Sequence, residues 1–138
     1  MAKVVLITGG SSGIGKAVGE YLLNKNFIVY GTSRNASGVK NSKFPIVSLD
    51  VTKKETITSA VSEVIKKEGK LDVLVNNAGM GITGPIEETP TDEMRKVFET
   101  NFFGAIEVVK AVLPQMRKQK NGLIINVTSI AGYMGLPF

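Results

Sequence analysis

Short, uninterrupted runs of apolar residues alternate along the chain with longer segments in which apolar positions recur every three or four residues. The runs predict five buried strands, at residues 4–7, 27–30, 45–49, 71–75 and 123–127. The segments between them have helical spacing, and a long one begins at residue 91. Because these strands alternate with helices and are almost entirely apolar, we predict an α/β fold whose parallel sheet is covered on both faces.

Local signals predict how the helices begin and how they pack. Thr52 and Glu55 fit a capping box, and Thr91 is the candidate N-cap of the long helix. In the first helix, the spacing places Tyr21 on the face that packs against the sheet. Pro114 is expected to kink or end the long helix, because proline lacks a backbone N–H group.

Composition narrows the chemistry that is open to this chain. Its 138 residues predict a single domain, and 43% apolar with 21% charged residues is typical of a globular protein. The sequence has no cysteine and no histidine, which excludes disulfides, Ser-His-Asp hydrolysis and metal sites built on those ligands. We therefore expect no metal.

Net charge and hydropathy indicate which partners and which cellular location are expected for this chain. The net charge of +5 is interpreted as a solvated basic surface, since no cluster of base-stacking aromatic residues indicates a nucleic-acid partner. No apolar run has the length of a signal peptide or a membrane span, so no membrane partner is expected. The cytoplasm is the default location.

A glycine-rich segment connects the first strand to the first helix, with glycine at positions 9, 13 and 15. Glycines let the backbone approach a phosphate, and the free N–H groups of a helix start bind the anion. The segment therefore predicts a dinucleotide site. Residues 10–16 also approach a P-loop, but Ala17 lacks the hydroxyl that would bind Mg²⁺. Residues 79–84 match G-x-G-x-x-G literally, but Pro85 follows instead of a helix, so we interpret them as a loop beside the cofactor.

The end of the second strand indicates which dinucleotide is bound. A fold that binds NAD usually carries an acidic residue there, whereas this chain has Ser33 followed by Arg34. A guanidinium can pair with the 2′-phosphate of NADP, and no adjacent carboxylate repels that phosphate. We therefore predict NADP (NADPH) as the cofactor in preference to NAD.

Several motifs follow one another along the whole chain. They are Thr8-Gly9-x-x-x-Gly13-x-Gly15, Asp50-Val51, Asn76-Asn77-Ala78-Gly79, Asn101 and Ser129. In this order they resemble the short-chain dehydrogenase/reductase family. The resemblance implies a doubly wound, Rossmann-type parallel sheet that continues past the fifth strand, so the C-terminal part of the fold would be missing from this chain.

The resemblance also implies a role for individual residues. Asp50 would accept a hydrogen bond from the adenine amino group, and Asn76 would tie the fourth strand to its neighbours. Asn101 would lie in a local helix distortion whose carbonyl holds a water of the proton relay, and Ser129 would bind the substrate carbonyl oxygen, so both are candidate catalytic residues. The candidate cofactor-binding residues are Gly9, Ser11, Ser12, Gly13, Ile14, Gly15, Ser33, Arg34, Asp50, Val51, Asn77, Ala78 and Gly79.

The chain departs from the family's pattern at its end. The tyrosine that acts as the family's general acid, and the lysine that follows it, would lie beyond Phe138. Tyr21 and Lys25 have the right spacing but lie in the first helix, and we interpret Tyr21 as a packing residue. The apolar residues 130–138 either pack back on the sheet or belong to a longer chain, which we favour.

Two hypotheses follow. In the first, the chain is the cofactor-binding portion of an NADP(H)-dependent oxidoreductase that moves hydride between the nicotinamide and a small alcohol or ketone. This portion alone would be inactive, and the longer chain would form a homo-oligomer. The alternative is a short NADP(H)-binding module without catalysis, which acts as a sensor or interaction domain.

Overall fold

Five strands and four helices alternate along residues 2–135, which are the part of the chain that this computed structural model describes. The elements are β1 (Val4–Ile7), α1 (Gly13–Leu23), β2 (Ile28–Ser33), β3 (Ile46–Ser48), α2 (Lys54–Glu68), β4 (Val73–Asn76), α3 (Thr91–Phe98), α4 (Ala105–Lys118) and β5 (Leu123–Asn126). A π-helical segment, Glu99–Gly104, joins α3 to α4 and is called the π turn below. None of the helices in this part of the chain is long and apolar enough to cross a membrane.

The strands form one parallel sheet in the order β3-β2-β1-β4-β5. Leu6 in β1 pairs with Tyr30 in β2 on one side and with Leu74 in β4 on the other. The chain therefore builds the sheet outward from β1 in one direction and then, from β4, in the other. This order is doubly wound and confirms the predicted fold class. It also places the point where the order reverses between β1 and β4, where open sheets of this kind bind ligands.

The core lies on both faces of the central strands. On one face, α2 and α4 pack against β-strand residues such as Val4, Leu6 and Leu74. On the other face, residues of α1 pack against a second cluster that contains Val5 and Ile7. All four residues of β1 are fully buried. This explains why the central strands are apolar at every position instead of at alternate ones.

Strand β5 is covered on one face only. Ile124 packs against the core beside α4. Its two neighbours in the strand are exposed: Leu123 by 54% and Ile125 by 43%. After the strand, Ile130 and Tyr133 are 69% and 93% exposed. The segment therefore does not pack back on the sheet as far as Gly135, and residues 136–138 lie outside the described part of the chain.

Two predicted N-caps are wrong. Helix α2 begins at Lys54 with Lys53 as its N-cap, one residue later than the capping box requires, and no side chain caps it. The Thr52 hydroxyl donates to the Asp50 carboxylate. Helix α3 begins at Thr91 itself, after Pro90. Its N-cap is Pro90, whose backbone carbonyl accepts from the Glu93 N–H group at 3.0 Å, and no side chain caps the helix.

One packing expectation is also wrong, and Pro114 does not have the helix-ending effect that was one of its two expected outcomes. Tyr21 is 63% exposed, with the Lys25 ammonium 5.7 Å from the centre of its ring. The buried face of α1 includes Gly19 instead, where an added Cβ would lie only 2.4 Å from the ring of Phe44. Pro114 does not end α4, which continues to Lys118. Pro114 is exposed, so water can bond the carbonyl that loses its partner.

Burial and hydrogen bonds shift the pKa values of Asp72 and Tyr30. Asp72 is 8% exposed, and its Oδ2 accepts from the Val4 N–H group at 2.8 Å and from Lys70 at 3.0 Å. Burial raises the pKa of Asp72, but these hydrogen bonds and the charge of Lys70 outweigh burial and hold its pKa below the ordinary value. Burial, together with a 2.6 Å hydrogen bond to Glu68, raises the pKa of Tyr30 to about 12.

Candidate cofactor-binding site

A groove of about 700 Å³ opens where β1, β2 and β4 end. All the predicted cofactor-binding residues except Gly15 line it, and Gly15 is buried. The structure thus brings together positions that lie up to seventy residues apart in the sequence, Gly9 and Gly79 among them. The lining also includes residues that the sequence analysis did not assign individually to the cofactor: Thr32, Asn35, Leu49, Thr52, Met80 and Thr100.

The loop between β1 and α1 forms one wall of the groove. Gly9 and Gly13 have φ angles of +66° and +53°, which favour glycine because a Cβ strains this conformation. The turn brings the start of α1, at Gly13, to the edge of the groove. The first N–H groups of a helix have no partner within it, and the helix dipole adds positive charge there. The arrangement suits an anion.

The same loop is pressed against β2. A Cβ built on Gly10 would lie 2.7 Å from the Cα atom of Gly31, which is far closer than real Cβ atoms approach a backbone. Gly31 has no Cβ either, and one built there would meet Phe44 and Ile46 at 2.7 and 2.8 Å. The two glycines therefore set how closely the loop approaches the strand.

Hydrogen bonds join the ends of β1 and β4 beneath the groove. The Thr8 hydroxyl accepts from the N–H groups of Asn77 at 2.9 Å and Ala78 at 3.0 Å. In return, Asn77 Nδ2 donates to the Thr8 carbonyl at 3.0 Å. Thr8 is 1% exposed, so these bonds are shielded from water. They fix the floor of the groove, a role that the sequence motif did not indicate for Thr8.

Asp50 lines the groove at the end of the loop that leads to α2. Its Oδ1 accepts from both the N–H group of Thr52 at 3.0 Å and the Thr52 hydroxyl at 2.7 Å. Burial raises the pKa of Asp50, but the two hydrogen bonds from Thr52 and the nearby charges of Lys53 and Arg34 outweigh burial, so that its pKa lies below the ordinary value. The carboxylate is therefore ionised near neutral pH and acts only as an acceptor.

Ser33 and Arg34 lie at the end of β2, on the groove. The Ser33 hydroxyl accepts from the Asn35 N–H group at 3.2 Å, which turns the chain after the strand. Arg34 is exposed, and it takes no part in the ion pairs formed within residues 2–135. Its guanidinium is therefore available to an anionic ligand in the groove.

The two candidate catalytic residues do not line the groove. Asn101 lies in the π turn, so the predicted helix distortion is confirmed, but its side chain bonds the backbone of Met80. Ser129 follows β5 and is exposed, and its Oγ accepts from the Ala131 N–H group at 3.1 Å. Their catalytic roles stay predictions.

Asn76 joins β4 to its neighbours, as expected. Its Nδ2 donates to Asn126 Oδ1 in β5 at 3.0 Å and to the Ala105 carbonyl in α4 at 3.4 Å. Its own Oδ1 is buried and accepts no hydrogen bond from residues 2–135. The side chain therefore holds a sheet edge and a helix together below the site.

The groups on the groove can bind a nucleotide-like ligand. Backbone N–H groups at the start of α1 suit an anionic group such as a phosphate. Arg34 supplies an exposed cation at the end of β2. Asp50 supplies an acceptor, suited to the amino group of a base.

Comparison with known proteins gives the same picture. The short chain dehydrogenase family model matches residues 3–138. The 3-ketodihydrosphingosine reductase of Bacteroides thetaiotaomicron is 46% identical over 136 residues, which make up 99% of this chain and 50% of that protein. Retinol dehydrogenase 8 of Homo sapiens is 38% identical over an alignment of 149 residues, which covers 99% of this chain and 47% of that protein.

A solved structure extends the comparison to the fold. The structure of ElxO with NADP bound is 38% identical, has a TM-score of 0.88, and the match covers all of this chain and 60% of that chain. This chain spans about half the length of the curated relatives it matches. The family match from residue 3 onward, the sheet order and the glycine-rich loop together show that the chain belongs to the short-chain dehydrogenase family.

Proposed function

We propose that this chain is the NADP(H)-binding portion of an oxidoreductase that moves hydride between the nicotinamide and the carbon of a small alcohol or ketone. The observation that carries the proposal is the groove, where the start of α1, Arg34 and Asp50 face one ligand-sized space. The NADP bound to ElxO, and the reductase and dehydrogenase names of the curated relatives, support it.

Each part of the groove has its own task in this proposal. The N–H groups at the start of α1 hold the pyrophosphate, and the glycines at positions 9 and 13 let the backbone approach it. Arg34 pairs with the 2′-phosphate, and Asp50 accepts from the adenine amino group. When bound, the cofactor supplies or receives the hydride.

The substrate side of the reaction is proposed to involve Ser129. Its Oγ accepts a hydrogen bond from the Ala131 N–H group, so the hydroxyl hydrogen is still available to donate. A substrate carbonyl oxygen at the end of β5 could receive that hydrogen. The general acid would be the tyrosine of the family's pattern, in a protein about as long as the relatives.

Arg34 gives the test of cofactor choice. The affinities of the chain for NADPH and NADH are measured by the fluorescence of the reduced nicotinamide, before and after Arg34→Ala. We expect a preference for NADPH in the unsubstituted chain. The substitution should weaken NADPH binding about tenfold or more, because a charge-assisted contact with the phosphate is lost, and should leave NADH almost unchanged.

The matched control is Arg95→Ala, which removes an exposed guanidinium from α3, away from the groove. Equal affinity for NADPH and NADH in the unsubstituted chain would contradict the choice of cofactor. Oxidation of NADPH by a panel of ketones, measured on a protein that also carries the Tyr-x-x-x-Lys pair, tests hydride transfer. Binding without any turnover there would favour the non-catalytic module instead.

A further inference from the structure

We propose that Thr52 is a positioning residue that fixes the Asp50 carboxylate, so that the groove selects a purine with an amino group at its position 6 over one with a keto group there. This inference rests on the proposed function, because it takes the adenine end of NADP(H) to lie beside Asp50. The resemblance to the family assigned no role to Thr52, and the capping role expected for it is wrong.

Thr52 holds one oxygen of the carboxylate and leaves the other available. Its N–H group and its hydroxyl both donate to Asp50 Oδ1, at 3.0 and 2.7 Å. Hydrogen bonds to an ionised acceptor are shorter and stronger than neutral ones, so this pair restricts rotation of the carboxylate. Among residues 2–135, none donates to the second oxygen, Oδ2. Oδ2 is therefore the acceptor that Asp50 offers to a ligand in the groove.

The backbone of Asp50 is fixed separately, by Thr56 in the first turn of α2. The Thr56 hydroxyl accepts from the Asp50 N–H group at 3.0 Å and lies 2.9 Å from the Asp50 carbonyl oxygen, where it can donate. The backbone is thus attached to the helix while the side chain is attached to Thr52. Both ends of the residue are held, so the direction of Oδ2 is set before a ligand arrives.

A fixed acceptor distinguishes two purines that differ by one group. Adenine presents a donor at its 6-amino group, whereas hypoxanthine has a keto oxygen there and carries its donor on the adjacent ring nitrogen, N1. A carboxylate that rotates freely can follow the donor from one position to the other. A fixed carboxylate cannot, and it then faces the keto oxygen, acceptor against acceptor. Discrimination should therefore depend on how firmly Thr52 holds Asp50.

The test compares two cofactors that differ only in this group, NADPH and reduced nicotinamide hypoxanthine dinucleotide phosphate. Dissociation constants for both are measured on the full chain by the fluorescence of the reduced nicotinamide. We expect the unsubstituted chain to bind NADPH about tenfold or more tightly than the analogue, as expected for a hydrogen bond to a charged group.

In Thr52→Val, which keeps the shape and removes the hydroxyl, the ratio of the two constants should fall at least about threefold. Part of this fall should be a gain in affinity for the hypoxanthine analogue, which a merely destabilised site would not show. The control is Thr58→Val, since the Thr58 hydroxyl donates to the Lys54 carbonyl within α2 and lies off the groove. Its ratio should equal that of the unsubstituted chain. Thr52→Ser keeps the hydroxyl and should preserve the ratio as well.

The outcomes separate this inference from the proposed function. If the unsubstituted chain binds neither cofactor, the proposed function fails and the inference with it. If NADPH binds but the ratio is the same in Thr52→Val and in the unsubstituted chain, only the role of Thr52 is overturned. Thermal unfolding is recorded for each variant, and Thr52→Ala replaces Thr52→Val if the latter does not fold.

Discussion

Among single residues, Asp72 shows how one carboxylate joins two strands at the end of the sheet opposite the groove. It lies just before β4, yet its Oδ2 accepts from the first N–H group of β1, at Val4. Lys70 neutralises it at 3.0 Å, and only 9% of the Asp72 side chain is exposed. Because the hydrogen bonds favour the ionised form, folding and ionisation of Asp72 stabilise each other.

Asp72→Asn should therefore lower the free energy of unfolding at pH 7 by about 1–2 kcal/mol, since a charge-assisted hydrogen bond becomes a neutral one and the ion pair is lost. The folded pKa of Asp72 lies below its unfolded value, so its contribution is present above the unfolded pKa and is lost as the pH falls through the folded pKa. Urea unfolding at pH 7 and below pH 3 measures this, and the variants should converge in acid.

The control for Asp72 is Asp92→Asn, where 90% of the side chain is exposed and the partner Arg95 is 4.0 Å away. We expect no measurable change there, because exposed ion pairs contribute little. A constant difference between Asp72→Asn and the unsubstituted chain at both pH values would contradict the assignment of the effect to the carboxylate charge.

At the scale of elements, the π turn holds the loop that follows β4. Asn101 Oδ1 accepts from the Met80 N–H group at 2.9 Å, and its Nδ2 donates to the Met80 carbonyl at 2.7 Å. This is the pairing that a neighbouring strand would supply, made here by one side chain. The loop lines the groove at Asn77, Ala78 and Gly79, so a turn in the helix fixes part of the groove wall.

Asn101→Ala should release this loop. We expect amide hydrogen exchange at Met80 to accelerate about tenfold, because the N–H group loses its acceptor and the pair is worth about 1 kcal/mol or more. Exchange in the buried strand β4 should be unchanged. Asn101→Asp serves as the comparison, since it keeps the acceptor for Met80 N–H but removes the donor to the carbonyl. Unchanged exchange at Met80 in Asn101→Ala would show that the loop is held by other contacts.

The elements also show what the sequence could and could not predict. Apolar runs located all five strands, because the central strands of a parallel sheet are buried on both faces. The loop after β4 was predicted, but its attachment to Asn101 was not, since that contact spans twenty-one residues. Thr52 was assigned to a helix cap because the local spacing fits one, but α2 begins one residue later, with Lys53 as its N-cap. Tyr21 was misplaced because helical spacing does not show which face a glycine can bury. Pro114 was expected to kink or end α4, which continues past it to Lys118.

Across the whole molecule, the side chains of the central strand are far more buried than those of the edge strand β5. Strand β1 is fully buried, whereas β5 and the residue that follows it expose Leu123, Ile125 and Val127 on the face away from α4. These side chains alternate along an edge strand of the described sheet and form one apolar surface. Edge strands of this kind readily pair or associate with other chains.

We therefore expect the 138-residue chain to self-associate as its concentration rises, measured by sedimentation velocity. Ile125→Lys should reduce the association without a large loss of stability, since Ile125 is already 43% exposed. The control is Ile86→Lys, at a position that is 73% exposed in the loop before α3. Association that is equal in both variants would show that the surface on β5 is not responsible.

The contact between Gly10 and Gly31 has a consequence for how this protein can vary. Gly31 occupies the space that a side chain on Gly10 would need, whereas a side chain on Gly31 would meet Phe44 and Ile46. A substitution at either position therefore has no compensating substitution at the other, since both partners already have the smallest side chain. In a library that randomises the two positions together, functional clones should retain glycine at both. Glycine weakens a strand locally, but Gly31 in β2 should be retained together with Gly10 in the loop between β1 and α1.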